Sequence, residues 1–215
     1  MEHNESPARG EAAPVAFLHE RAMDNLSFIR DTMARSAPLT AVSGRATVLM
    51  GGVALAGAYA GSLRRTDDWW IWVWLAVAFA GCLTGFAGMA LKSRRQRAPL
   101  FSAVGRKFAL SLFPPILVGV VLTEACYERS LDELMPGVWL MLYGAGVVTG
   151  GAFSVNVLPV TGFCFIALGV CAFYPPVPMF HPLFGTLTFA DLILASGFGL
   201  MHIISGIYIA WRHDG

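Results

Sequence analysis

Six apolar stretches dominate this chain, and short polar or charged segments separate them. The stretches cover residues 47–63, 69–91, 108–126, 138–154, 157–174 and 189–211. Crossing the roughly 30 Å apolar core of a bilayer takes about 20 mostly apolar residues in a helix. Because no water is available there, each stretch must satisfy its own backbone hydrogen bonds, which an α-helix does. The pattern therefore predicts an all-α, polytopic bundle of six transmembrane helices over residues 46–211.

A different periodicity precedes the first apolar stretch. One apolar stripe at helical spacing runs along residues 15–37 and consists of Leu18, Ala22, Leu26, Ile29 and Met33. We predict a cytoplasmic amphipathic helix here. Acidic residues on its other faces weaken the case for adhesion to anionic lipid, so the stripe is expected to dock on protein. Residues 1–14 are polar and are predicted to be a disordered tail. They have no apolar core, so the first membrane helix is expected to be an uncleaved anchor.

The basic residues cluster in alternate segments between the apolar stretches. They are Arg21, Arg30, Arg35 and Arg45 before the first stretch, Lys92, Arg94, Arg95, Arg97, Arg106 and Lys107 between the second and third, and Arg212 after the sixth. The loop holding Arg64 and Arg65 departs from this alternation. Because short loops rich in Lys and Arg stay cytoplasmic, we predict cytoplasmic termini in a cell membrane of the bacterial inner-membrane kind. Topology thus explains the basic loop at 92–107, and nucleic acid is not expected as a partner.

Composition and motifs argue against an enzyme. The chain is 56% hydrophobic and 13% charged, whereas soluble domains carry about 25% charged residues. It contains no HExxH, GxSxG or P-loop sequence, and no second histidine inside another stretch could pair with His202 to ligate a haem. The four cysteines are scattered singly. A disulfide between Cys126 and Cys171 stays open beside the favoured interpretation, which is that both are small apolar residues in packed helices. We expect no catalytic residue, metal or cofactor.

Ionisable side chains inside the apolar stretches are the candidate sites, because charge is costly in a bilayer. His202 lies near the middle of the sixth stretch, and Asp191 precedes it by close to three helical turns. Both are expected on one face turned into the bundle, about 16 Å apart. Glu124, at the outer end of the third stretch, could join Asp191 and His181 in a cation or proton site. The alternative for His202 is a neutral imidazole that hydrogen-bonds a neighbouring helix.

Small residues and prolines are expected to shape the helices. Glycines recur four apart at Gly57 and Gly61, at Gly81 and Gly85, and at Gly146 and Gly150. This spacing predicts a compact bundle in which helix backbones approach closely. Pro114 and Pro115 predict that the third helix kinks or starts late, because each removes a backbone donor.

Aromatic residues concentrate where the helices are expected to leave the membrane. Tryptophans stand at the outer start of the second stretch (Trp69, Trp70, Trp72 and Trp74) and at the inner end of the sixth (Trp211). We predict that they form belts at the headgroup level. Residues 175–188 contain four prolines and therefore cannot form a continuous helix. An outer loop lying against the bundle is predicted there.

Two functions follow from this inventory. The first is a non-enzymatic membrane component that works by interaction or assembly, with the amphipathic helix engaging a protein partner. The second is a small-solute or proton-linked transporter or channel that uses His202 with Asp191 or Glu124. The first is favoured because a transported polar solute needs more lining groups than this chain offers.

Overall fold

The computed structural model describes residues 21–29, 42–63, 68–95, 103–152 and 155–213. The chain divides into two units, Met1–Pro38 and Leu39–Gly215. In the first unit, residues 21–29 are helical and every side chain of this segment is exposed. Leu26 and Ile29 of the predicted stripe lie in this helix, whereas Leu18 and Met33 lie outside the described residues.

The second unit is a bundle of long helices. These are α1 (Gly44–Ser62), α2 (Trp69–Arg95), α3 (Ala103–Glu128), α4 (Met135–Gly151) and α5 (Val157–Phe173). A short hairpin follows, formed by β1 (Pro182–Phe184) and β2 (Leu187–Thr188). The last helical run comprises α6 (Phe189–Leu194), a π-helical segment (Ala195–Met201) and α7 (His202–His213). Apart from the hairpin, the described residues form an all-helical fold, as predicted.

Four helical runs among the described residues are long and apolar enough to cross a membrane. They are Trp69–Arg95, Gly105–Glu128, Asp132–Gly151 and Phe189–Arg212. Helix α5 is apolar but has only 17 residues, and α1 carries Arg45 and several glycines among its 19 residues. Several apolar helices of this length are typical of a membrane protein. Length and composition support four spans, fewer than the six that the apolar pattern predicts.

Glycine backbones set how closely the helices of the bundle pack. Helix α3 packs on α4 and α4 on α5, while α1 packs on both α2 and the last helical run. A Cβ added to Gly51 of α1 would lie 2.6 Å from the carbonyl oxygen of Gly199. One added to Gly144 of α4 would lie 2.7 Å from that of Gly162 in α5. Larger side chains at these positions would force the helices apart, which is why small residues occupy them.

The glycine pairs singled out in the sequence also face neighbouring helices. Gly57 lies against Val77, Gly81 and Gly85 lie against Met50, Gly146 lies against Leu112, and Gly150 lies against Phe108. Gly61 is different, because two of its three nearest neighbours are polar atoms, Asp191 Oδ1 and Trp74 Nε1.

Helix α3 continues through Pro114 and Pro115. The predicted late start is wrong, because the helix already begins at Ala103. A full break would leave more backbone groups unsatisfied in lipid than the two missing N–H donors, so prolines are tolerated in such helices. The ring of Pro115 lies close to Gly146 of α4.

Residues 175–188 avoid a continuous helix, as predicted, but they include a hairpin that the sequence pattern did not indicate. Gly185 forms its turn with a φ of 62°, a conformation that glycine adopts easily. The segment is held against the bundle, since Met179 is buried and its carbonyl accepts a 2.9 Å hydrogen bond from the Ala190 backbone. The Thr186 hydroxyl lies 3.0 Å from that of Ser62 at the end of α1.

Candidate functional site

Asp191 is fully buried where the last helical run begins, and three donors surround its carboxylate. Trp70 of α2 donates its indole N–H to Oδ1 at 2.9 Å. Thr188 donates to Oδ2 through its backbone N–H at 3.0 Å and through its hydroxyl at 2.7 Å. The Asp191 backbone N–H donates in turn to the Thr188 hydroxyl, which completes a capping box. The carboxylate therefore begins the helix and ties it to α2.

His202 is buried near the middle of the last helical run, and both of its ring nitrogens have partners. Nδ1 lies 2.8 Å from the carbonyl oxygen of Phe198, and Nε2 lies 2.7 Å from the hydroxyl of Tyr143 in α4. A carbonyl can only accept, so Nδ1 carries a hydrogen. In the neutral imidazole Nε2 then accepts, and the Tyr143 O–H is its donor. The structure thus contains the interhelical hydrogen bond expected of a neutral histidine.

The π-helical segment makes the Phe198 carbonyl available to His202. In an α-helix the backbone N–H of residue 202 would donate to the carbonyl of residue 198. Here it donates to the Gly199 carbonyl instead. Single π-helical turns inside α-helices recur at functional sites, and this one adjoins the buried histidine.

A path of contacting aromatic rings connects the surroundings of Asp191 with those of His202. The centroid distances are 6.4 Å from Trp70 to Trp74, 6.5 Å from Trp74 to Phe198, and 6.2 Å from Phe198 to the His202 ring. Tyr143 completes the path, with its ring centroid 5.3 Å from that of Phe198. The two predicted polar residues are therefore not isolated from each other, because one continuous aromatic layer contacts both.

The predicted tryptophan belt is wrong for two of its members. Trp70 and Trp74 are each 3% exposed, and Trp70 stacks on Trp139 of α4 with ring planes 7° apart. Trp70 and Trp74, four residues apart, lie on the inward face of α2, whereas Trp72 lies on the opposite face and is exposed. Four tryptophans within six residues point to different faces of a helix, so they cannot all be exposed at the headgroup level. Trp211 is exposed, as a belt residue would be.

Glu124 and His181 do not join Asp191. Both side chains are exposed, whereas Asp191 is enclosed by Trp70 and Thr188. Among the described residues, no group of three or more His, Cys, Asp or Glu side chains could hold a metal ion. The cysteines at 82, 126, 164 and 171 are all free, so the disulfide between Cys126 and Cys171 does not form.

Several site residues were missed by the sequence reasoning. The sequence Thr188-Phe-Ala-Asp191 has the capping-box pattern ahead of an apolar run, and this signal could have paired the two residues. Tyr143 is the tyrosine of the fourth apolar stretch, and a buried hydroxyl needs a partner, but nothing in the chain indicates that the partner is His202. The indole donors of Trp70 and Trp74 carried no such signal.

Asp191 and His202 can hold helices together, and His202 can hold a proton at Nδ1, where it is donated to the Phe198 carbonyl. Their carboxylate and imidazole bind neighbouring helices directly, through Trp70 of α2 and Tyr143 of α4. Family models, curated proteins and solved structures give no match to this chain.

Proposed function

We propose that this protein is a non-enzymatic component of a membrane that works by binding another protein. The observation that carries this proposal is the exposure of large apolar side chains in residues 21–29. Met23, Leu26, Phe28 and Ile29 are 51–68% exposed. Such a concentration in nine residues favours a segment that a partner covers.

The interior of the bundle supports the same proposal. Asp191 and His202 are already hydrogen-bonded to protein groups, so neither is set aside for a solute. The peripheral helices, by contrast, leave most of their surface open. In the most apolar part of each helix, 11% of α2 and 6% of α3 is buried, against 50% in Asp132–Gly151. The open apolar faces suit contact with lipid or protein, and the hydrogen bonds inside join helices, so a structural role is favoured over transport of a solute.

A photocrosslinking amino acid at Leu26 tests whether residues 21–29 bind protein. We expect an adduct of discrete mass from position 26 and none from position 27, which lies off the predicted stripe. Adducts with lipid alone would contradict the proposal and would favour a helix lying in the membrane interface.

The double variant Leu26→Asp with Ile29→Asp tests how much these two side chains contribute to binding the partner. Burying two such side chains is worth about 1.5–3 kcal/mol each, so their loss should lower co-purification of the partner that crosslinking identifies by more than tenfold. Asn25→Asp with Ser27→Asp adds the same charge outside the stripe and should leave recovery unchanged. Equal losses in both double variants would refute docking through the stripe.

We further propose that the chain crosses the membrane six times with both termini cytoplasmic. Lys92 of α2 donates to the Val42 carbonyl before α1 at 3.2 Å, which supports one basic end for both helices. Tyr127 donates to Asp68 at 3.0 Å at the far ends of α3 and α2. In a variant freed of native cysteines, a cysteine at Asp132 should be labelled from outside and one at Gln96 from inside. The reverse pattern would overturn this orientation.

A proton-linked transporter is the second candidate, and the His202–Tyr143 pair beside the π-helical segment favours it. In this case His202, with Asp191, carries protons, while Glu124 is exposed and is not needed inside. Glutamine at 202 can donate to the Phe198 carbonyl and accept from Tyr143 but does not titrate near neutral pH. If protons move through His202, His202→Gln should stay folded and lose proton flux in liposomes. Flux that survives in a folded His202→Gln protein excludes this mechanism.

A further inference from the structure

Three helices meet around Gly61 at the end of α1. A Cβ added to Gly61 would lie 3.4 Å from Asp191 Oδ1, 3.4 Å from Trp70 Cδ1 and 3.4 Å from Trp74 Nε1. Gly61 belongs to α1, the two tryptophans to α2, and Asp191 to α6. The absence of a side chain at residue 61 therefore leaves room beside one donor and one acceptor.

Trp74 supplies the donor. Its side chain is 3% exposed, and Nε1 is the buried side-chain polar atom that has no hydrogen-bond partner among the described residues. Buried donors in proteins are nearly always paired with protein or with ordered water. Since indole can only donate, what pairs with Trp74 must be an acceptor.

Asp191 supplies the acceptor. Its Oδ1 receives one hydrogen bond, from Trp70, and a carboxylate oxygen has lone pairs for two. A ligand between Trp74 and Asp191 must therefore accept one hydrogen bond and donate another. A cation cannot accept from Trp74, and an anion would be repelled by the carboxylate. An O–H group both accepts and donates and so meets both requirements. The space left by the missing side chain at Gly61 admits only one small molecule.

We propose that Gly61, Trp74 and Asp191 form a binding site for one buried water molecule. The water accepts the N–H of Trp74 and donates to Oδ1 of Asp191, so that both tryptophans of α2 bind the carboxylate, Trp70 directly and Trp74 through water. Two polar partners and local room are what a buried water requires. The site joins α1, α2 and the last helical run, independently of whether the protein binds a partner or moves protons.

A structure of the protein at a resolution that shows buried waters tests the site directly. We expect solvent density within hydrogen-bond distance of Trp74 Nε1 and Asp191 Oδ1. Other buried waters with no density here would overturn the proposal.

Gly61→Ala tests the same site by unfolding. Its Cβ makes ordinary contacts at 3.4 Å, so it should displace the water without a clash. Gly52→Ala is the matched control in the same helix, since a Cβ there meets nothing within 4 Å. We expect a lower unfolding midpoint for Gly61→Ala than for Gly52→Ala. A midpoint equal to that of the control would overturn the proposal.

Trp74→Phe distinguishes loss of the bound water from a steric effect of the added methyl group, because phenylalanine has no N–H that needs an acceptor. With water in the site, adding Gly61→Ala to Trp74→Phe should lower the midpoint much less than it does in the wild type. If Gly61→Ala lowers the midpoint equally in both backgrounds, the effect is steric and the water site is refuted.

Discussion

Replacing Asp191 by asparagine should destabilise the bundle, although the two side chains have nearly the same shape. The carboxylate accepts on both oxygens, from Trp70 at Oδ1 and from Thr188 at Oδ2. Asparagine keeps one acceptor oxygen and replaces the other by an NH₂ group, which only donates. In either orientation its NH₂ faces an N–H group, that of the Trp70 indole or that of the Thr188 backbone.

The loss of stability in Asp191→Asn is estimated from the one N–H donor that loses its acceptor. A buried donor deprived of its acceptor costs about 1–3 kcal/mol, and measured polar contacts between membrane helices reach about 1.7 kcal/mol. We therefore expect Asp191→Asn to lower the free energy of unfolding by about 2 kcal/mol. Glu124→Gln removes the same charge from an exposed position on α3 and should change it by less than about 0.5 kcal/mol.

A double-mutant cycle with Trp70→Phe assigns the loss to the indole contact. Phenylalanine has no N–H, so an asparagine NH₂ facing it meets no competing donor. The double variant should be more stable than the sum of the single changes predicts, by about 1 kcal/mol or more. Unfolding in mixed detergent micelles, followed by helical circular dichroism, measures all four proteins. An additive cycle, or an Asp191→Asn protein as stable as wild type, would refute the reasoning.

Two further predictions concern contacts of α4. Tyr143→Phe removes the hydroxyl that donates to the buried histidine and should cost about 0.6 kcal/mol in the same unfolding assay; no measurable loss would argue against that donor. Gly144→Leu should lower the unfolding midpoint strongly, because even its Cβ would lie 2.7 Å from a carbonyl of α5, whereas Gly52→Leu, at an open position, should lower it little.

The helical architecture was accessible from the sequence because apolar length and loop charge are local properties. The inward face of Asp191 and His202 was predicted from their spacing, and both are buried. Their partners Trp70 and Tyr143 were not predicted, because each lies on another helix. Which turn of α2 or α4 meets Asp191 or His202 depends on close contacts between helices, such as those of Gly57 with Val77 of α2 and of Gly144 in α4 with Gly162. Those contacts fix helix depth and rotation only once the bundle is assembled.

The π-helical segment separates the two buried polar residues of the last helical run. A π-turn spans one more residue per hydrogen bond than an α-turn, so it rotates His202 relative to Asp191 from the positions that regular spacing predicts. Asp191 can then bind Trp70 on α2 while His202 binds Tyr143 on α4. The irregular turn is therefore stabilised from both ends, by the two buried residues that it separates.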